Sequence, residues 1–190
     1  MALSDESDRS CAERAQTGDQ AAYAELVRRY QARLYRFVLR MVGSADEALD
    51  LAQDAFVRAW QALPEWRPEA KFHTWLFRIA SNAALDALRR RKVVEFVPLE
   101  ESFEAASGEP DPARRLEISQ ALRGLEAALR SLPAEQREIL LLREVEDLSY
   151  EEIGAVLGVA EGTVKSRLAR ARVALIEARR EADSGTRRQR

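Results

Sequence analysis

The chain has 190 residues, 46% apolar and 33% charged, with a formal net charge of −2, enough for one or two small domains with cores of their own. No apolar run approaches the length of a membrane span, and the polar, acidic start MALSDESDRSCAERAQ is no secretory signal. One cysteine (Cys11) and one histidine (His73) exclude an internal disulfide, argue against a Cys/His zinc site or a distant Cys–His nucleophile pair, and point to the cytoplasm.

No glycine loop of the kind that cradles phosphate is present, and no spacing argues for carboxylate or lysine catalysis. The chain reads as a non-enzyme with no cofactor and no metal. Residues 1–18 hold at most a short helix around Cys11 to Gln16. Asp19 is placed to cap a long helix with the apolar face Tyr23, Leu26, Val27, Tyr30, Leu34, Phe37, Val38 and Met41. Gly43 ends it, and Ser44 with Glu47 spells a capping box for the next helix. That helix has Ala48, Leu51, Ala52, Ala55, Phe56, Ala59 and Trp60 as its core stripe, with Asp46, Asp50, Gln53, Asp54 and Arg58 on the other face, and Pro64 stops it. A loop, EWRPEAK, carries Trp66 and Arg67. A third long helix then runs from about Phe72 through Trp75, Ile79, Ala80, Ala83, Ala87 and Leu88 to the basic run Arg89–Lys92.

Residues 93–112 are acidic, hold Gly108, Pro110 and Pro112, and show no sustained period, the composition of a flexible linker. Val93 to Val97 has strand-forming residues, but Pro98 follows and no partner strand is evident. Helices resume near Ala113 with Leu116, Leu122, Leu125 and Leu129 along one side. Pro133 opens another, Ala134 to Glu146, around Ile139–Leu142. After Ala182 the tail DSGTRRQR reads as frayed.

The stretch Leu148–Ala178 reads as a short helix, a tight turn and a longer basic helix. Ser149 with Glu152 is a capping box, Ile153, Val156 and Leu157 form an apolar face, and Gly158 takes the left-handed position that ends the helix. Gly154 is small enough for the second helix to cross closely. That helix buries Val164, Leu168, Ala171 and Leu175. At 100° per residue, Gly162, Ser166, Ala169 and Val173 point outward, flanked by Lys165, Arg170 and Arg172. Apolar inside with small and basic outside is the pattern of a helix that lies in the major groove. The bland alternative is a bundle with a solvated basic face. Charge is segregated along the chain: the helix from Lys165 onward and the Arg89–Lys92 run are basic, and the connection between them is acidic.

Three stretches together carry a resemblance. DEALDLAQDAFVRAW (Asp46–Trp60), EWRPEAKFHTWLFRIASNAALDALRRRK (Glu65–Lys92) and LPAEQREILLLREVEDLSYEEIGAVLGVAEGTVKSRLARARVAL (Leu132–Leu175) occur in the order and spacing of bacterial sigma factors. The chain resembles the extracytoplasmic-function (ECF) type, the minimal members of the sigma-70 family, from about Glu13 to Arg180. The fold implied is all-α, with two small helical domains, 10–92 and 113–182, joined by the acidic linker 93–112. The second would be a four-helix domain containing the helix–turn–helix.

The resemblance also implies roles. Asp50, Gln53, Asp54 and Arg58 would dock on the clamp coiled-coil of core RNA polymerase, and domain two would touch the polymerase flap. A flipped −10 base would sit between the loop bearing Arg67 and Lys71 and the helix start at Phe72, His73 and Trp75. Asn82 and Asp86 would frame neighbouring bases, with Arg78, Arg89 and Arg90 on phosphates. Trp75, at helical spacing with Ile79, suits a core position better than a stacking platform, and His73 suits a polar surface. Lys165, Ser166, Ala169 and Arg170 would meet −35 base edges. Arg167, Arg172 and Thr163 would hold phosphates. Family members often carry a larger side chain where this chain has Ala169. Promoter DNA, core polymerase and an anti-sigma factor are the implied partners. A stand-alone DNA-binding regulator, which leaves Asp46–Trp60 and Lys71–Lys92 unexplained, and a helical interaction protein without DNA, for which the basic helix is only a solvated face, are the rival readings.

Overall fold

The structure, a computed structural model, describes residues 7–91 and 112–188; the linker and the extended reading of Val93–Val97 lie outside them. Every regular element in those residues is helical: α1 (Asp8–Gln16), α2 (Gln20–Val42), α3 (Ala45–Ala62), α4 (Phe72–Arg90), α5 (Pro112–Ser131), α6 (Ala134–Leu140), α7 (Tyr150–Leu157) and α8 (Glu161–Arg188). None is long and apolar enough to cross a membrane.

The helix ends follow local chemistry. The Asp19 carboxylate accepts from the Ala21 and Ala22 amides at 3.0 and 3.1 Å and opens α2. Gly43, at φ 76°, closes it with its amide on the Leu39 carbonyl. Ser44 caps α3 through the Glu47 amide, but Glu47 does not complete the box. Its carboxylate pairs instead with Arg91, whose guanidinium also donates to the Val42 carbonyl at 2.8 Å. One arginine thus ties the ends of α2, α3 and α4. Chain past Ala62 tightens into a 3₁₀ turn over Leu63–Glu65, with Pro64 inside it rather than after it.

The first half packs α2 against α1, α3 and α4. Phe37 meets Phe77 edge-on at 5.2 Å, and Phe72 sits among Tyr30, Trp66 and Trp75. Helix α1 is part of this core: Cys11 and Ala12 are fully buried. The Gln16 amide donates to the Leu63 and Trp66 carbonyls, fixing the loop that follows α3. Burial removes Cys11 from solution chemistry.

In the second half, α8 lies across α5, α6 and α7. Val164, Leu168 and Ala171 are buried as the period demands, while Leu175 is only partly covered. The helix expected over Ala134–Glu146 widens into a π turn at Leu141–Val145. Asp147 follows at φ 53°, a left-handed position that aspartate tolerates. Helix α8 continues to Arg188, so the stretch expected to fray after Ala182 is helical. Extending a helix already held by packing costs far less than nucleating one.

The two halves are packed on each other, α7 and α6 against α4, and α5, α6 and the π turn against α2. Nothing in the periodicity announces this contact.

Candidate nucleic-acid interface

Ser149 and Glu152 form the full capping box of α7: the Glu152 amide donates to the serine hydroxyl at 3.2 Å and the Ser149 amide to the carboxylate at 2.8 Å. Gly158 ends the helix at φ 66°. At Gly154 the close neighbour is the turn, not the second helix. A Cβ there would lie 2.8 Å from the Val159 carbonyl oxygen and 3.8 Å from Val164. Gly154 lets the turn fold back, and the turn aims α8.

On α8, Gly162, Ser166, Ala169 and Val173 are exposed, with Lys165, Arg170 and Arg172 exposed beside them and Arg167 and Thr163 half-buried. Every cation at the front of this face has a local partner. Lys165 pairs with Glu161 at 2.7 Å and lies 5.8 Å from the Tyr150 ring. Arg172 pairs with Glu144 at 2.6 Å. The Arg170 guanidinium donates to the Ser166 backbone carbonyl at 3.4 Å, and the Ser166 hydroxyl donates to the Thr163 backbone carbonyl at 3.0 Å. Exposed pairs of this kind contribute about 0–1 kcal/mol, so phosphates displace them readily. Glu144 has no sequence signal, since it lies 28 residues from its arginine.

On α4, Arg78, Asn82, Asp86 and Arg89 share one exposed stripe, and Arg90 lies beside it. Asp86 faces Arg89 at 3.5 Å and its backbone carbonyl accepts from Arg90. Arg67 is exposed in the loop. The aromatic candidates are elsewhere. Phe72 is 2% and Trp75 8% exposed, packed on each other at 5.8 Å. In this arrangement they are core, and no base reaches them.

Lys71 and His73 point at the other half of the molecule. The Lys71 ammonium lies 2.9 Å and the His73 Nε2 3.4 Å from one oxygen of Glu152, the capping residue of α7. Burial works to raise the Glu152 carboxyl, but Lys71 and the Ser149 cap outweigh it and hold it at about 2. Burial also lowers the His73 pKa, with Glu152 acting in the opposite direction. His73 is thus half-buried at an internal contact, not a free polar surface group.

On α3, Asp50, Gln53, Asp54 and Arg58 are all exposed on one face, joined by the exposed apolar side chains of Leu49 and Val57. Val57 also borders a groove of about 340 Å³ with Gln20, Tyr23, Phe56 and Trp60. Charged positions set around exposed apolar ones suit a docking face.

Comparison with known proteins places these surfaces in a family. Residues 26–93 match the model of sigma-70 region 2, and residues 122–175 that of sigma-70 region 4. The chain is 42% identical over 160 residues to the ECF RNA polymerase sigma factor SigE of Mycolicibacterium smegmatis, covering 82% of this chain but 62% of that one. It is 39% identical over 184 residues to the RNA polymerase sigma-H factor of Pseudomonas aeruginosa, covering 93% of this chain and 95% of the relative. Among solved structures, sigma factor RpoE of Bartonella quintana, in complex with the anti-sigma factor NepR, superposes with a TM-score of 0.65 at 28% identity, covering 82% of this chain and 95% of that one. With both regions matched in order, and a relative matched over nearly its whole length, the chain belongs to the sigma-70 family of RNA polymerase sigma factors, in its ECF group.

Proposed function

We propose that this protein is a dissociable, cytoplasmic initiation factor that binds core RNA polymerase and directs it to promoters carrying −10 and −35 elements. It catalyses no chemistry itself. One observation carries the reading: a single chain presents two separate exposed faces whose side chains suit nucleic acid, the small-and-basic face of α8 and the Arg78–Asn82–Asp86–Arg89 stripe of α4. A stand-alone regulator needs only the first.

In this reading the domain of residues 10–92 grips the −10 strand and the polymerase clamp, through Asp50, Gln53, Asp54 and Arg58. The domain of residues 113–182 reads the −35 duplex. Lys165, Arg170, Ser166 and Ala169 meet base edges, and Thr163, Arg167 and Arg172 hold phosphates. With Ala169 so small, discrimination rests on the two long cations. Arg67, Lys71 and His73 reach the −10 strand with Arg78, Asn82, Asp86, Arg89 and Arg90; Phe72 and Trp75 shape the pocket from within. Relatives captured with anti-sigma proteins support a similar partner here.

The test is reconstitution. Core polymerase plus this protein gives transcripts from its cognate promoter, and core polymerase alone does not. Tight binding to duplex DNA by the free chain with no such transcripts would favour the stand-alone regulator. Binding to neither polymerase nor DNA would favour the interaction protein.

A further inference from the structure

We infer that Gln16, the last residue of α1, is a positioning residue for −10 recognition: its carboxamide sets the shape of the Trp66–Lys71 loop and so which base that loop accepts. The inference rests on the reading above, in which this loop and the start of α4 grip the −10 strand.

The loop has little of its own to hold it. Between the 3₁₀ turn ending at Glu65 and the start of α4 at Phe72 there is no regular element, and Arg67, Pro68 and Glu69 are exposed. Within it the Ala70 amide donates to the Arg67 carbonyl at 3.2 Å. The Trp66 side chain is buried, but its indole nitrogen has no hydrogen-bond partner, so the ring is anchored by packing alone. Packing of this kind is non-directional and does not fix how the backbone turns. Gln16 supplies the direction. Its Nε2 donates to the Leu63 carbonyl at 3.0 Å and to the Trp66 carbonyl at 2.7 Å, which uses both amide protons. One planar group on two carbonyls three residues apart clamps the entry to the loop.

Gln16 can do this because α1 is itself fixed. Its 9 residues are too few for a helix that is stable alone, and they are held on α2 along their length. At the start, Asp8 takes the Arg29 guanidinium at 2.7 Å and the Tyr30 hydroxyl. Cys11, Ala12 and Ala15 are then buried. At the end, Arg14 pairs at 2.6 Å with Asp19, the cap of α2. Position is passed from α2 to α1, from α1 to Gln16, and from Gln16 to the loop. A loop that reads a base is selective when its backbone is fixed before the base arrives, and a supporting shell loose by about 1 Å loses much of that. Arg67 and Lys71 are carried on the backbone that Gln16 clamps. Gln16 itself is half-buried and acts through the loop rather than on the base.

The test separates an effect on the loop from an effect on the fold, in the full-length chain with core polymerase. The probe is a promoter library randomised at both elements, from which the templates that yield transcripts are sequenced. Gln16→Met keeps the length and the apolar stem and removes both donors; Gln16→Lys restores donors on a longer stem. For Gln16→Met we expect base preference within the −10 element to relax about three- to tenfold, the worth of one ordinary hydrogen bond. The −35 preference should be unchanged, and Gln16→Lys should recover most of the loss. Hydrogen exchange needs no transcript: the Trp66–Lys71 amides should exchange several-fold faster in Gln16→Met, with those of Leu34–Val38 in α2 unchanged. An unchanged −10 preference, or loop exchange as slow as in wild type, overturns the inference. So does a Gln16→Met protein that unfolds or loses both preferences together, which would make Gln16 a residue of the fold. Absence of transcripts from wild type would sink the initiation-factor reading, and this inference with it.

Discussion

Arg137 is an arginine almost without water, and its guanidinium instead donates to four backbone carbonyls: Leu129, Arg130 and Leu132 at 2.6–3.0 Å, and Met41 across the interface. The first three lie at the end of α5, where no glycine cap is available to satisfy them. Lysine keeps the charge but not the planar fork. Arg137→Lys should cost about 3 kcal/mol, since several buried carbonyls lose a charged donor. For a chain of this size that is roughly 6–12 °C in Tm by thermal melting; a loss under about 2 °C would mean that water replaces the fork. Two glycines give a paired test. Gly154→Ala drives a methyl against the Val159 carbonyl oxygen, an atom that cannot rotate away, and should cost about 1–3 kcal/mol. Gly162→Ala meets nothing within 4 Å and should gain up to about 1 kcal/mol from helix propensity. Equal effects of both, measured by urea unfolding, would contradict the placement of Gly154 against the turn.

Helix α8 had both faces written in its sequence, because one turn is 3.6 residues and neighbours within a helix are local. Val164, Leu168 and Ala171 went inside, and Gly162, Ser166, Ala169 and Val173 outside, as the angles required. The Ser149–Glu152 box and Gly158 were legible for the same reason: a cap is satisfied within four residues. Glu144 was not legible, because its pairing with Arg172 depends on how the π turn presents it to α8. The same division predicts function along the helix. Arg170→Ala should cost about 1–3 kcal/mol at one promoter base pair and relax preference there. Arg167→Ala should weaken all promoters alike and shallow the salt dependence by about one unit of slope. Titrations of matched −35 duplexes at several salt concentrations check both. A uniform loss from Arg170→Ala would reassign it to phosphate. On α3, Asp50→Arg with Asp54→Arg should abolish polymerase binding while leaving Tm within about 1 °C, since both side chains are exposed.

At the level of the whole molecule, the contact between the halves is what periodicity could not reveal. Glu138, Glu146 and Arg137 are buried, and each has a partner in the first half: the Ser81 hydroxyl, Arg33 and the Met41 carbonyl. Packing of the two halves, the closed form, is then linked to the protonation of the two carboxyls. Burial raises the Glu138 carboxyl, opposed by the Ser81 hydroxyl, Arg167 of α8 and Arg89 of α4, and seconded by Glu135. Burial likewise raises Glu146, against Arg33, Arg36 and Arg40 of α2. A carboxyl raised on closure binds its proton more tightly in the closed form, so closure gains free energy as pH falls from neutral toward the carboxylate range. Two groups modify this. The His73 pKa is lowered by burial, so its protonation below about pH 6.5 opposes closure. Glu152 is held at about 2, so its support persists above the ordinary carboxylate value and is lost only as pH falls toward 2. Two proton uptakes act against one proton release, and the closed fraction, read by a dye pair at the exposed positions Gln31→Cys and Ala155→Cys, should rise between pH 7.5 and 5. The double variant Glu138→Gln, Glu146→Gln removes both uptakes while keeping side-chain shape. Its pH dependence should reverse, leaving only the slope of His73. If the wild-type closed fraction falls on acidification, the histidine dominates and the two carboxyls are not buried by closure. If the double variant keeps the wild-type slope, the protons are taken up elsewhere in the chain.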